Sequence, residues 1–146
     1  MRYRLILLPV TNSSDGVAAA AHAAALGHAT GATVAILGVI DTSDGFQFSA
    51  EGLARYDRQR AETQAAIEAA SAVVRGAGVA RVEHLIMDGV PQEAIIEVAD
   101  EQDADVIVLG AGRAMLDDRS SESIAAYVLR HARCAVVIVP AERISP

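Results

Sequence analysis

The chain has 146 residues, of which 52% are apolar and 3% aromatic, and its formal net charge is −7. This length fits one domain, residues 1–146, and the acidic balance argues against nucleic acid or an anionic membrane as a partner. All 12 basic residues are arginine, so the chain lacks both the lysine of a P-loop and the lysine that holds pyridoxal phosphate. The single cysteine excludes an internal disulfide. No apolar run approaches the roughly 18 residues of a membrane span, so we expect a cytoplasmic protein.

Apolar runs bounded by turn residues alternate with helix-forming segments along the chain. The runs predicted to form strands are residues 4–10, 33–40, 79–87, 105–110 and 134–139. The segments predicted to form helices run from Ser14 or Asp15 to His28, from Ala50 to Ala77, onward from Pro91, and from about Ser121 to Ala132. Strands that alternate with helices form a mostly parallel sheet with right-handed crossovers. The pattern therefore predicts an α/β fold, a doubly wound, mostly parallel, five-stranded Rossmann-like sheet with helices on both faces.

A ligand site is expected at the carboxyl edge of this sheet, because such sheets bind ligands where the strand order reverses. The segments that meet there are residues 9–14, 39–43, 87–91 and 110–123. Gly110 and Gly112 would let the backbone approach a phosphate, and Arg113 could add positive charge. A tight turn that binds no ligand is the alternative interpretation.

The end of the last of these segments also carries acidic residues, and their charge opposes phosphate binding. Asp117, Asp118 and Glu122 outnumber the arginines there, so a triphosphate would need a bridging Mg²⁺ ion. Capping of the following helix is the other explanation for these polar residues. Asp118, Ser120 or Ser121 is predicted to cap it, with Glu122 in its first turn.

No catalytic centre and no metal site is predicted. The four histidines do not have the spacing of metal ligands, and His131 in the last turn of a helix is expected to complement the helix dipole. Cys134 is expected to open a buried strand and to be an inert core residue. Neither a Ser-His-Asp nor a Cys-His arrangement stands out.

Several of these segments together resemble the universal stress protein family, along nearly the full length of the chain. The matching segments, in chain order, are residues 6–10 with the serine-containing turn after them, 31–32, 37–41, 88–91 with Ile95, 104–110 and 123–139. The resemblance implies a Rossmann-like fold of the adenine nucleotide alpha hydrolase-like type. It also implies a homodimer paired through the last strand, at Val136, Val137, Ile138 and Val139.

Some members of this family bind ATP or related adenine nucleotides and others do not. The resemblance implies candidate nucleotide-binding residues at Pro9, Thr11, Val39, Ile40, Gly89, Gly110, Gly112, Arg113, Ser123 and Ile124. Nucleotide binders carry a glycine-rich motif after the fourth strand. Here its first glycine is Gly110 and its hydroxyl is Ser123, but Glu122 replaces a glycine, and Thr11 stands where binders have an acid. The adenine half of the site is partly kept, and the phosphate half is altered.

Three functional hypotheses follow. The first is a non-catalytic, cytoplasmic stress-response protein that acts as a homodimer with unidentified protein partners and has a degenerate nucleotide site. The second is a nucleotide-dependent switch that binds ATP or AMP, with Mg²⁺, at the candidate residues. The third, ranked last because no base or nucleophile is identifiable, is a weak nucleotide hydrolase.

Overall fold

Strands and helices alternate in the computed structural model, which describes residues 2–10, 15–43, 45, 48–111 and 123–140. The strands are β1 (Leu5–Val10), β2 (Thr33–Asp41), β3 (Val82–Gly89), β4 (Val106–Gly110) and β5 (Ala135–Val139). The helices are α1 (Asp15–Thr30), α2 (Ala50–Gly76), α3 (Pro91–Glu101) and α4 (Ile124–His131). Every predicted element is present, and its ends differ from the expected ones by at most three residues.

The five strands form one sheet in the order β3-β2-β1-β4-β5, and every neighbouring pair is parallel. The chain moves from β1 outward to β3 and then crosses back to β4 and β5 on the other side of β1. The strand order therefore reverses between β1 and β4, which is where a ligand crevice is expected in a doubly wound sheet. The predicted fold class is confirmed.

Helices cover both faces of the sheet, because the strand residues alternate between two separate cores. Ile6 and Leu8 of β1 pack in the core under α1 and α2, whereas Leu7 packs in the core under α3 and α4. All three side chains are 0% exposed. A strand that is buried on both faces has a continuous apolar run instead of alternation, which explains the pattern of β1 and β4.

Helix α2 approaches β2 closely at Gly38. A β-carbon added there would overlap the Thr63 methyl group and lie 2.9 Å from Ile67 Cδ1. Thr63 and Ile67 are themselves buried, so this glycine allows the helix to pack directly on the strand backbone. The contact fixes the position of the long α2 helix over the β2 side of the sheet.

The last strand, β5, is an edge strand and is only partly buried. Val136, Val137, Ile138 and Val139 all have intermediate exposure. Cys134 lies one residue before β5 and is half-buried, so the prediction that it opens a buried strand as a core residue was wrong. The reason is topological, because β5 has a neighbour on one side only.

Candidate functional site

The pairing between β1 and β4 ends before their carboxyl ends, at the point where a doubly wound sheet is expected to have a ligand crevice. These strands are paired only at Ile6↔Val106 and Leu7↔Ile107, within the described residues. Beyond that point β1 stays paired with β2 as far as Val10, while β4 stays paired with β5 as far as Gly110. The amide of Ala111 continues the second pairing, donating to the Val139 carbonyl at 2.9 Å. The ends of β1 and β4 therefore form the two sides of the reversal point.

Pro9 and Gly110, both candidate residues, lie at these two strand ends. Pro9 is buried and pairs with Leu37 of β2, and Gly110 has intermediate exposure. Proline has no amide hydrogen to donate to a neighbouring strand, which is consistent with the loss of pairing on the β4 side. The structure thus places the first and fourth strands of the predicted site as expected from the sequence.

The β2 side of the edge holds Val39 and Ile40. Val39 is half-buried on the α3 and α4 face, where its cross-strand neighbour Met87 also packs. Ile40 is 1% exposed. Of these two side chains, Val39 is the one with surface left to offer an apolar ligand.

Gly89 ends β3 in a backbone conformation that favours glycine. Its φ is +149°, and no atom lies within 4 Å of a β-carbon built there. The Gly89 carbonyl accepts a hydrogen bond from the Thr42 amide at 3.2 Å. The chain at Gly89 therefore borders open space while its backbone is held to the end of β2.

Ser123 caps helix α4. Its Oγ accepts a hydrogen bond from the Ala126 amide at 3.0 Å, and the residue is 8% exposed. The prediction that Asp118, Ser120 or Ser121 caps this helix was therefore wrong. A serine hydroxyl that accepts one hydrogen bond still has its own proton to donate, and Ser123 lies at the helix N-terminus, where the dipole favours an anion.

Ile124, the next candidate, is half-buried against the core under α3 and α4. The remaining candidates, Thr11, Gly112 and Arg113, lie outside the described residues, as do Glu122 and the acids before it. The structure therefore brings the described candidates Pro9, Val39, Ile40 and Gly89 to one edge of the sheet. Of the candidates for phosphate binding, Gly110 and Ser123 lie among the described residues.

Two side-chain pairs near β3 were not predicted. The Tyr56 hydroxyl on α2 lies 2.9 and 3.0 Å from the two carboxylate oxygens of Asp88. Farther along α2, Ser71 Oγ lies 3.0 Å from His84 Nε2 and accepts a hydrogen bond from Arg75 Nε at 3.2 Å. Tyr56 and Asp88 are 32 residues apart in the sequence. Their contact depends on the orientation of α2 over β3, which the sequence alone does not show.

A groove of about 570 Å³ lies between α1 and α2, on the face away from Val39 and Ile124. Most of its lining is alanine and valine, including Val10 on its floor and the exposed Val17 and Val73 on its rim. Glu62 is its charged member. None of the candidate nucleotide residues that the structure describes lines this groove.

Among the described residues, two titratable groups have a shifted pKa, and neither lies at the carboxyl ends of the strands. The Asp105 carboxylate accepts hydrogen bonds from the amides of Arg4 and Leu5, at 2.7 and 3.0 Å, and these bonds hold its pKa below the usual value. Burial raises the pKa of the Cys134 thiol, with smaller contributions from Asp100 and Asp105. Neither group suggests acid–base chemistry at the carboxyl edge.

The described residues contain no group of three or more His, Cys, Asp or Glu side chains that could hold a metal ion. None of the described helices has both the length and the apolar character needed to cross a membrane.

Comparisons with known proteins agree with this architecture. Residues 2–140 match the family model described as the Universal stress protein family. A universal stress protein of Methanocaldococcus jannaschii is 29% identical over 140 residues, which cover 94% of this chain and 82% of the relative. Because the family model covers most of the chain, the protein belongs to the universal stress protein family.

Solved structures of family members have the same fold. The universal stress protein UspA from Lactobacillus plantarum superposes with a TM-score of 0.82 at 26% identity, covering 95% of this chain and 99% of that one. A universal stress protein in complex with cAMP has a TM-score of 0.73 at 22% identity, with coverages of 97% and 100%. One from Archaeoglobus fulgidus in complex with dAMP has a TM-score of 0.69 at 24% identity, with coverages of 95% and 99%.

Proposed function

We propose that this protein is a non-catalytic stress-response regulator whose crevice binds an adenine nucleoside monophosphate more tightly than ATP. The observation that carries the proposal is the separation of β1 from β4, with Pro9 and Gly110 at the two strand ends. The open space beside Gly89 and the half-buried Val39 supply surface for an adenine ring. The capping hydroxyl of Ser123 supplies a donor for one phosphate group.

The preference for a monophosphate follows from the sequence after Gly110. Glu122 takes the place of a glycine in the family motif, and Asp117 and Asp118 add further negative charge. A triphosphate would bring more negative charge close to these carboxylates than a monophosphate would. A penalty of about 1.4 kcal/mol weakens binding tenfold. The cAMP and dAMP complexes among the structural neighbours support a one-phosphate ligand in this fold.

Calorimetric titration with AMP and with ATP plus Mg²⁺ tests the preference. We expect the wild-type protein to bind AMP at least about tenfold more tightly than ATP. The Glu122→Gly variant should bind ATP more tightly, so the ratio of the ATP and AMP dissociation constants should become smaller. Glu101→Gln, which removes a carboxylate from the exposed end of α3, is the matched control and should leave the ratio unchanged. Equal ratios in the wild type and Glu122→Gly would contradict the account of the phosphate half.

The regulatory role is proposed because the described residues at the crevice offer no catalytic arrangement. The one serine–histidine contact among the described residues joins Ser71 to His84, and Ser71 is 6% exposed and lies on α2 away from the strand ends. Phosphate release from ATP by the purified protein, if lost on a single substitution at Ser123, would contradict a non-catalytic role.

We expect the regulator to act as a homodimer through β5, because the two edges of the sheet differ. The β5 edge exposes an apolar strand, whereas the β3 edge carries the exposed side chains of Glu83, His84 and Asp88. Charged residues on an edge strand oppose pairing with a second chain, and an apolar edge favours it. Sedimentation at micromolar concentration should show a dimer that Val136→Arg weakens and Glu83→Arg leaves intact. A monomeric wild type would contradict this part of the proposal.

A further inference from the structure

The contact between α2 and the end of β3 lies at the carboxyl edge of the sheet, directly before the candidate residue Gly89. Asp88 directly precedes Gly89, and both of its carboxylate oxygens are within hydrogen-bond distance of the Tyr56 hydroxyl, at 2.9 and 3.0 Å. The phenol has one proton to donate, and an ionised carboxylate only accepts. Tyr56 is therefore the donor in a charge-assisted hydrogen bond, a stronger kind than one between neutral groups.

This bond acts on a segment that is held in other ways as well. The backbones of Ile40 and Asp88 are register partners across β2 and β3, and the Thr42 amide donates to the Gly89 carbonyl. The residue after Gly89 is Val90, the N-cap of α3, and its side chain makes no capping hydrogen bond. Pairing with β2 and the bond from Tyr56 thus hold the segment that connects β3 to α3 in one conformation.

We propose that Tyr56 is a positioning residue for the crevice, because its bond to Asp88 holds the Gly89 backbone in the conformation that leaves room for the ligand. This inference rests on the proposed nucleotide site but concerns a side chain that lies outside the candidate set. Gly89 has a φ of +149° and open space beside it, and its pairing with Asp41 and its bond from Thr42 hold it from the β2 side only. The bond from Tyr56 restrains the preceding residue, Asp88, from the α2 side. A Gly89 backbone that is already fixed in the free protein loses less conformational entropy when the ligand binds.

The Tyr56→Phe variant is the direct test, because it removes the hydroxyl and keeps the ring. We expect it to weaken AMP binding by about three- to tenfold, because it removes one hydrogen bond to the exposed carboxylate of Asp88. Tyr3→Phe is the matched control, since Tyr3 lies beside β1 at the opposite end of the sheet, and it should leave the affinity unchanged. Asp88→Asn keeps an acceptor oxygen and should lose less affinity than Asp88→Ala.

Two further measurements separate positioning from direct ligand contact and from a failed nucleotide site. In the Tyr56→Phe background, Asp88→Ala should cause no additional loss, because the two residues act through one bond. Amide hydrogen exchange at Gly89 and Val90 in the ligand-free protein should become faster in Tyr56→Phe and remain unchanged in Tyr3→Phe. If the wild type binds no AMP, the proposed function fails and exchange alone decides the role of Tyr56. Unchanged exchange in Tyr56→Phe would overturn the inference, as would a full additive loss in the double variant.

Discussion

Substituting Gly38 by alanine should destabilise the protein, because α2 leaves no room for a methyl group there. The added carbon would overlap the Thr63 methyl and lie 2.9 and 3.3 Å from Cδ1 and Cγ1 of Ile67. Both neighbours are buried, so they can yield only by moving the helix or by leaving their rotamers. Overpacking of this kind costs about 1–3 kcal/mol, and the lower chain entropy of alanine in the unfolded state offsets about 0.4–1 kcal/mol. We expect a net loss of about 1–2 kcal/mol.

Urea unfolding followed by circular dichroism measures this loss, and Gly76→Ala is the matched control. Gly76 ends α2, and a β-carbon built there has no atom within 4 Å. The control should therefore stay within about 0.5 kcal/mol of the wild type or be slightly more stable. A Gly38→Ala variant as stable as Gly76→Ala would refute the close packing of α2 on β2.

Three other perturbations test separate features of the structure. Asp105→Asn removes the charge that accepts the amides of Arg4 and Leu5. Because Asp105 is partly exposed, we expect a loss of about 1 kcal/mol at pH 7 in urea unfolding. The Cys134 thiol has a raised pKa because it is half-buried, so it should react with iodoacetamide more slowly at pH 8 than a cysteine in a short peptide. Ser123→Ala removes the α4 cap and should destabilise the protein by about 1 kcal/mol in the same urea assay, and it should also weaken AMP binding.

The Asp105 prediction has a defined pH dependence. Its pKa is lowered in the folded protein from a reference value of 3.8, so its stabilising contribution is present above that value and disappears as the pH falls through the folded pKa. The wild type and Asp105→Asn should therefore differ at pH 7, and the difference should shrink as the pH falls below 3.8. A difference that persists unchanged at the lower pH would contradict the hydrogen bonds to the carboxylate. Labelling of Cys134 as fast as that of a cysteine in a short peptide would contradict its burial. A Ser123→Ala variant as stable as the wild type would contradict the α4 cap.

The fold could be predicted from the sequence because strands buried on both faces leave a strong local signal. The runs around Leu7 and Ile107 contain apolar residues on both sides of the strand, and both side chains are fully buried. The prediction of β3 was less accurate, since it began at Val79 and the strand begins at Val82. Val79 is buried in the turn after α2, where its Cγ2 lies 3.0 Å from a β-carbon built at Gly27 of α1. Its apolar character reflects contact between helices and not strand pairing.

The placement of the described candidate residues at one edge of the sheet could be predicted from the sequence, and their side-chain contacts could not. Residues at the carboxyl ends of parallel strands necessarily meet at one edge, so Pro9 and Gly110 could be assigned to the crevice from chain order. The cap of α4 could not be chosen, because several residues in succession are able to cap, and Ser123 was not among those predicted. The bond from Tyr56 to Asp88 depends on how α2 lies across β3, which no local pattern records.

The measurement that most directly tests the account is a titration of isotopically labelled protein with AMP, followed by NMR of the backbone amides. We expect shifts concentrated at Val39, Gly89, Gly110 and Ser123, where the strand ends and the α4 cap border the crevice. We expect little change at Val73, which lines the groove between α1 and α2 on the other face. Shifts concentrated at that groove, or none at millimolar AMP, would contradict the central claim that the crevice between β1 and β4 is an adenine monophosphate site.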